Sequence, residues 1–254
     1  MILAIDIGNT NIVVGGIDDT KTYFIERLST NRTKTELEYA VDLKTVLDIY
    51  HIKRTDIEGG IISSVVPQVT EIARRAAEKI LKKEVMVVGP GLRTGLNIML
   101  DNPSEMGADR VADAVAALAR YPVPLVTVDM GTATTFSVVD AKKRCIGGMI
   151  MPGVRVSLDA LVARASQLNG ISIEEPKKLI GKSTIDCMKS GILYGNAAAV
   201  DGIIDRIEEE LGQKVTVIAT GGHAKKIIPH CKREIILDED LLLKGLLIIY
   251  EKNK

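Results

Sequence analysis

The sequence predicts an α/β protein made of two similar lobes, and three observations carry that expectation. Short apolar runs alternate with helical patterns along the whole chain, a strand–turn–strand unit with Asp-x-Gly at its bend occurs twice, and a second echo follows each copy in the same order. "ILAIDIG" and "NIVVGGI" flank the first bend at Asp6, Gly8, Asn9 and Thr10, and "PLVTVDMGTATTFSVVD" repeats the unit. Asp129 lies 123 residues beyond Asp6, and at that shift Gly131 falls on Gly8 and Thr132 on Asn9. The strands "IISS" at 61–64 and "VIAT" at 217–220 form the second echo, at a shift of 156. The larger shift places roughly thirty inserted residues between the echoes of the second half, within the helical stretch from Pro152 to Leu211. The expected division is 1–115 and 116–254.

Between the echoes the elements follow from period and punctuation. "KTYFIERLS" reads as a third strand. "TELEYAVDLKTVLDIYH" places Leu37, Ala40, Val41, Leu43, Val46 and Leu47 at helical spacing. "GGIISSVVP" is a short buried strand, "QVTEIARRAAEKILKK" an amphipathic helix and "VMVVG" a strand. A loop rich in Gly, Pro and Asn runs from Gly89 to Met106, and "GADRVADAVAALARY" then opens a helix. The terminal "LLLKGLLIIY" is too short, and too interrupted by Lys244, to span a bilayer and reads as a packed helix.

Composition narrows the partners. The 254 residues are 46% hydrophobic and 26% charged, enough apolar content for a sizeable core. Lys+Arg 33 balances Asp+Glu 33, and aromatic residues are 3% with no Trp, which argues against a basic or stacking surface for nucleic acid and for a small-molecule partner. Cys145, Cys187 and Cys231 are odd in number and widely spaced, as free thiols of a reducing compartment are, and no basic leader precedes Asp6. A cytoplasmic protein is expected.

Several motif readings fail on their mechanics. "GKST" at 181–184 lacks the P-loop glycine five positions earlier, where Pro176 stands, and no strand leads into it. "VGPGLRTG" at 88–95 has neither the Lys-Ser/Thr nor the following helix, and no GxGxxG follows a strand. His51, His223 and His230 are not spaced for zinc, and no GxSxG supplies a nucleophile elbow.

The Asp-x-Gly bends admit two readings. Alone, Gly8-Asn9 is a hairpin turn that tolerates positive φ, with Asp6 a turn former. As a facing pair, the bends offer clustered backbone N–H groups to phosphate oxygens and carboxylates to a cation or its water. "GADR" at 107–110 is likewise either a helix start capped by Asp109 or an acid beside an Arg that deprotonates a hydroxyl while Arg110 holds a substrate carboxylate. "TGGHAKK" at 220–226 is a strand–helix turn or the adenosine end of a nucleotide site.

"DIGNTN" at 6–11, "GPGLRTGLNI" at 89–98, "NPSEMGADR" at 102–110, "DMGTATT" at 129–135, "GGMIMPG" at 147–153 and "SGILYG" at 190–195 together resemble the type III pantothenate kinases. The resemblance runs from Met1 to about Tyr250, and GADR with two Asp-x-Gly turns is far more specific than any one motif. It implies the fold of the acetate and sugar kinase, heat-shock chaperone and actin superfamily, two ribonuclease H-like lobes with an ATP cleft between them. It also implies a homodimer with the pantothenate pocket near the subunit interface.

Residue by residue, the resemblance implies that ATP meets Asp6, Ile7, Gly8, Asn9, Thr10, Asn11, Ile12 and Val13 of the first turn and Thr132 of the second. Gly107, Ala108, Asp109, Arg110 and Thr184 match substrate contacts, with Asp109 the general base. Asp129 matches the acid associated with potassium or ammonium, and Asp6 would position Mg²⁺, directly or through water. The family's usual Tyr before "xNPxxxGADR" is replaced by Leu100, preceded by Met99, which implies a changed pantothenate pocket with the phosphoryl-transfer acids retained. The expected activity is ATP-dependent phosphorylation of the primary hydroxyl of pantothenate to 4'-phosphopantothenate, the first step towards coenzyme A. The rivals are a relative with another small-alcohol acceptor, a phosphohydrolase with Asp109 as base, and a non-catalytic assembly or regulatory protein.

Overall fold

The structure, a computed structural model, describes all residues, Met1–Lys254. The chain divides into two compact units, Met1–Arg120 with Asp240–Lys254, and Tyr121–Glu239.

The first unit holds β1 (Ile2–Ile7), β2 (Asn11–Ile17), β3 (Thr22–Ser29), α1 (Glu36–Ile49), β4 (Gly59–Ser64), α2 (Pro67–Leu81), β5 (Val85–Val87), β6 (Asn97–Ile98) and α3 (Ala108–Arg120). Its sheet runs β3-β2-β1-β4-β5, antiparallel from β3 to β1 and parallel from β1 to β5. β1 is buried along nearly its whole length, which explains its unbroken apolar run: a central strand covered on both faces has no solvent side to alternate with. Leu3, Ile5, Ile7 and Ile62 join the core beneath α1 and α2. α1 begins with a capping box between Thr35 and Glu38, and Pro67 occupies the first turn of α2. Leu37 and Val41 of α1 are exposed, contrary to their expected place on the apolar face. The buried face is instead Tyr39, Ala40, Leu43, Val46 and Leu47, because the large Tyr39 ring turns that stripe inward.

The second unit holds β7 (Leu125–Met130), β8 (Ala133–Val139), β9 (Arg144–Pro152), α4 (Val154–Arg164), α5 (Thr184–Leu211), β10 (Thr216–Thr220), α6 (Ala224–Ile227) and β11 (Ile236–Leu237). Its strands follow the order β9-β8-β7-β10-β11 with the same pattern of directions. Strand for strand this is the topology of the first unit. Two helices, α4 and α5, and the loop joining them fill the stretch from β9 to β10, where the first unit has α1 and a single 3-10 turn at Arg54–Asp56. Ser183 caps α5 by accepting the Asp186 N–H, and Gly212 ends it in the left-handed conformation.

The terminal helix α7 (Leu241–Glu251) is the packed helix its pattern predicts, but it joins the first unit and not the second. Leu241, Leu243, Leu246, Leu247 and Ile249 are buried, and burial of each such side chain stabilises by about 1.5–3 kcal/mol. A Cβ on Gly245 would overlap the Ala112 backbone of α3, so the two helices meet through bare backbone. The expected division at 115 also falls inside α3, whose thirteen residues run on to Arg120.

Candidate active site

In the first unit, β1 and β4 run parallel and stay in register to their ends, Ile7 opposite Ser64. Asp6 lies opposite Val13 of β2 and Ser63 of β4. Past β1 the chain turns through Gly8, Asn9 and Thr10, and Gly8 N–H donates to Asn11 O at 3.0 Å. Thr30, just after β3, staples this turn: its Oγ1 donates to Gly8 O at 2.6 Å and its N–H to Thr10 O at 3.0 Å. Arg32 Nη2 donates to Asn9 Oδ1 at 3.3 Å. No residue of the turn has positive φ, so the left-handed hairpin turn expected of Gly8-Asn9 is replaced by a three-residue bend of ordinary backbone. Asn9, Thr10 and Asn11 are exposed, Asp6, Gly8 and Val13 half-buried, and Ile7 and Ile12 anchor the bend in the core.

The start of α3 comes to the same place. Val65 N–H donates to Ile7 O at 3.1 Å, which holds the chain after β4 beside the turn. A Cβ on Gly107 would lie 3.5 Å from Val65 Cγ1 and 2.5 Å from Asp109 Oδ1, so Gly107 rests on Val65 and the Asp109 carboxylate folds back over it. Asp109 Oδ1 accepts the Arg110 N–H at 2.7 Å, within the first turn of α3, where the helix dipole favours an anion. Ala108, Asp109 and Arg110 are half-buried. The Asp6–Thr10 turn and Gly107–Arg110 thus gather at the carboxyl ends of β1 and β4, where open α/β sheets bind their ligands.

The second unit repeats the turn with one residue fewer. Gly131 N–H donates to Ala133 O at 3.0 Å, and Gly153 N–H donates to Thr132 O at 3.1 Å as Thr30 does to Thr10. Asn11 pairs with Ser29, and Ala133 pairs with Pro152. Thr132 is therefore the counterpart of Thr10, not of Asn9 as the constant shift implied; one residue is lost inside the bend. Asp129 faces Thr220 of β10 as Asp6 faces Ser63, which moves the second echo by one residue, from Ser64 to Ser63.

Gly221 follows Thr220 with φ +94°, and a Cβ there would overlap the Asp129 carboxylate and lie 2.6 Å from Met130 N, so only glycine fits this wrap around Asp129. His223 N–H closes it on Met130 O at 3.1 Å. The helix after it, α6, is a single turn.

Thr184 is the exposed first residue of α5 and lines a groove of about 520 Å³ with Ser157, Leu161, Cys187, Met188 and Ile192. No strand precedes "GKST". Leu100 is half-buried just after β6, and its neighbour Met99 is exposed. The stapling by Thr30 and Gly153, and the placement of Ser63 and Thr220 opposite the aspartates, escaped sequence reasoning. The repeat held a signal for the staples, since Thr30 and Gly153 are separated by the same 123 residues as Asp6 and Asp129.

No group of three or more His, Cys, Asp or Glu is arranged to hold a metal ion. Asp6 and Asp129 each offer one carboxylate with a hydroxyl residue opposite on the neighbouring strand. Such a donor set suits a hard cation that takes its other ligands from water and phosphate, as Mg²⁺ does.

The architecture is shared with solved structures of low sequence identity. A conserved putative Baf family transcriptional activator from Campylobacter jejuni superimposes with a TM-score of 0.61 at 18% identity, over 99% of this chain and 98% of that one. The activator of the 2-hydroxyisocaproyl-CoA dehydratase from Clostridium difficile, solved with bound ADPNP, gives 0.58 at 14% identity, over 98% and 93%. The two sheets make a mixed α/β protein, and these neighbours share its fold. The family model described as type III pantothenate kinase matches residues 2–206, and a type III pantothenate kinase from an Exiguobacterium species is 46% identical over 254 residues, all of both chains. The chain belongs to the type III pantothenate kinase family.

Proposed function

We infer that this protein transfers the γ-phosphoryl group of ATP to the primary hydroxyl of pantothenate, giving 4'-phosphopantothenate for coenzyme A synthesis. The observation that carries the reading is the gathering of the Asp6–Thr10 turn and Asp109 at the carboxyl ends of β1 and β4, in a chain whose full length aligns with a kinase of that name. Asp109 is the general base. Its Oδ1 is taken by the Arg110 N–H, which orients the carboxylate and leaves Oδ2 to accept the hydroxyl proton as that oxygen attacks the γ-phosphorus in line. The P–O bond to ADP breaks and ADP departs with its electrons.

Arg110 pairs with the pantothenate carboxylate, with Gly107, Ala108 and Thr184 as further substrate contacts and Leu100 shaping the pocket in place of the family's Tyr. Backbone N–H groups of Gly8, Asn9 and Thr10 receive phosphate oxygens, and Thr132 contacts the nucleotide. Asp6 would hold Mg²⁺ and Asp129 potassium or ammonium, and such cations neutralise charge that accumulates on the phosphates. Transfer depends on positioning, which the Thr30 and Gly153 staples supply to the two turns.

A homodimer is part of the reading, and the exposed apolar side chains Val156, Leu161 and Ile185 of α4 and α5 offer it a face. No helix is long and apolar enough to cross a membrane, which is compatible with a cytoplasmic enzyme. The test is an ADP-release assay on purified protein with and without pantothenate, in potassium and in sodium, alongside a light-scattering mass. Pantothenate-dependent turnover, faster in potassium, is expected. ATP hydrolysis indifferent to pantothenate would favour a phosphohydrolase, and nucleotide binding without any product would favour a non-catalytic relative.

A further inference from the structure

Ser63 sits in the middle of this machinery without a role in it. Its side chain is fully buried, and its Oγ has no hydrogen-bond partner. It pairs with Asp6 in the parallel β1–β4 ladder, so both side chains leave the sheet on the same face, while the preceding pair, Ile5 and Ile62, enters the core on the other. An unpartnered buried hydroxyl weakens a fold relative to alanine, which would fill most of the same space without a polar atom to satisfy. The second unit makes the same choice with a different residue: Thr220 stands opposite Asp129. The pair preceding each aspartate is apolar in both units, Ile5 with Ile62 and Val128 with Ala219, and a hydroxyl residue then stands across from each aspartate in both parallel ladders.

We propose that Ser63 is a positioning residue for Asp6: its hydroxyl donates to the Asp6 carboxylate when Mg²⁺–nucleotide is bound and fixes the orientation in which Asp6 receives the cation or its water. A serine hydroxyl has one proton to give and rotates freely about χ1, so it can follow the carboxylate into its bound orientation. The proposal rests on the reading of Asp6 as the magnesium-side acid.

The test compares Ser63→Ala and Ser63→Thr with the natural protein in three measurements: the thermal midpoint without ligand, ADP affinity by calorimetry in excess Mg²⁺ and in EDTA, and kcat with KM for ATP. For Ser63→Ala the ligand-free midpoint should be unchanged or higher and the affinity in EDTA unchanged. The gain in affinity on adding Mg²⁺ should shrink about tenfold, the loss of one hydrogen bond to a charged group. Ser63→Thr should restore most of that gain, since Thr220 fills the equivalent place. Three results would overturn the proposal: an unaltered Mg²⁺-dependent gain in Ser63→Ala, an equal affinity loss with and without Mg²⁺ at a lowered midpoint, or a Ser63→Thr protein as impaired as Ser63→Ala at an unchanged midpoint. A natural protein whose ADP affinity ignores Mg²⁺, yet which phosphorylates pantothenate, would refute the role of Asp6 and the proposal with it while leaving the kinase reading intact.

Discussion

The Asp109 carboxylate lies folded over Gly107, with one oxygen held by the next backbone N–H and the glycine itself seated on Val65 at the end of β4. That contact ties the candidate base to the same strand ends that carry the Asp6–Thr10 turn.

Asp109→Asn keeps the size and the Arg110 N–H contact but removes the proton acceptor. Turnover should fall by about 10²- to 10⁴-fold. ADP affinity by calorimetry should stay within about twofold of the natural protein, because a base contributes to the transfer step and not to nucleotide binding. A near-normal kcat would remove Asp109 from the role.

Gly107→Ala tests positioning without touching the carboxylate chemically. The new methyl competes with Asp109 Oδ1 for space, so the carboxylate must swing away. A displacement of about 1 Å is enough to lower kcat by roughly 10²-fold. Steady-state kinetics beside a thermal melt would separate this loss from unfolding.

Gly245→Ala addresses the union of α7 with α3. Its Cβ would overlap the Ala112 backbone, and backbone cannot rotate out of the way as a side chain can. The helices must separate, at a cost of about 1–3 kcal/mol, read as a lower denaturation midpoint in urea.

Glu208 should make part of the stability depend on acid. Hydrogen bonds from Arg233 hold this nearly buried carboxyl at a pKa of about 2, against the ordinary 4.5, and Lys214 and the Val215 N–H reinforce them. A depressed carboxyl stabilises the fold fully above its unfolded pKa and loses that contribution as pH falls from about 4.5 to about 2. Glu208→Gln should therefore lower stability by about 1.5–3 kcal/mol at pH 7 and by progressively less across that window. Melts at pH 7, 4 and 2.5 check it; a difference independent of pH would reject the assignment.

The cysteines should sort by burial. Cys187 is exposed and Cys145 buried, and burial pushes the Cys231 thiol up to about 12, so that it stays protonated. A thiol-exchange reagent at pH 8 should titrate one group quickly in the folded protein and three in denaturant.

Much of this protein follows from sequence because it is local or repeated. Apolar period and turn residues mark the strands and helices wherever one face meets water, and the doubled Asp-x-Gly unit announces two sheets of one topology. Asp6, Asp109 and Asp129 stand out because their motifs are contiguous.

Tertiary structure decided what depends on neighbours distant along the chain. The period of "LLLKGLLIIY" shows a helix but not its sheet; the missing side chain of Gly245, matched to Ala112, seats it on the first unit. Constant shifts aligned Thr132 with Asn9 and Ser64 with Thr220, and strand register moved both by one; a residue lost inside the bend accounts for the first, pairing between distant strands fixes the second, and neither leaves a mark in composition. Ser63 was invisible for the same reason. A serine in a buried strand has no pattern of its own and acquires meaning only from the aspartate across the ladder.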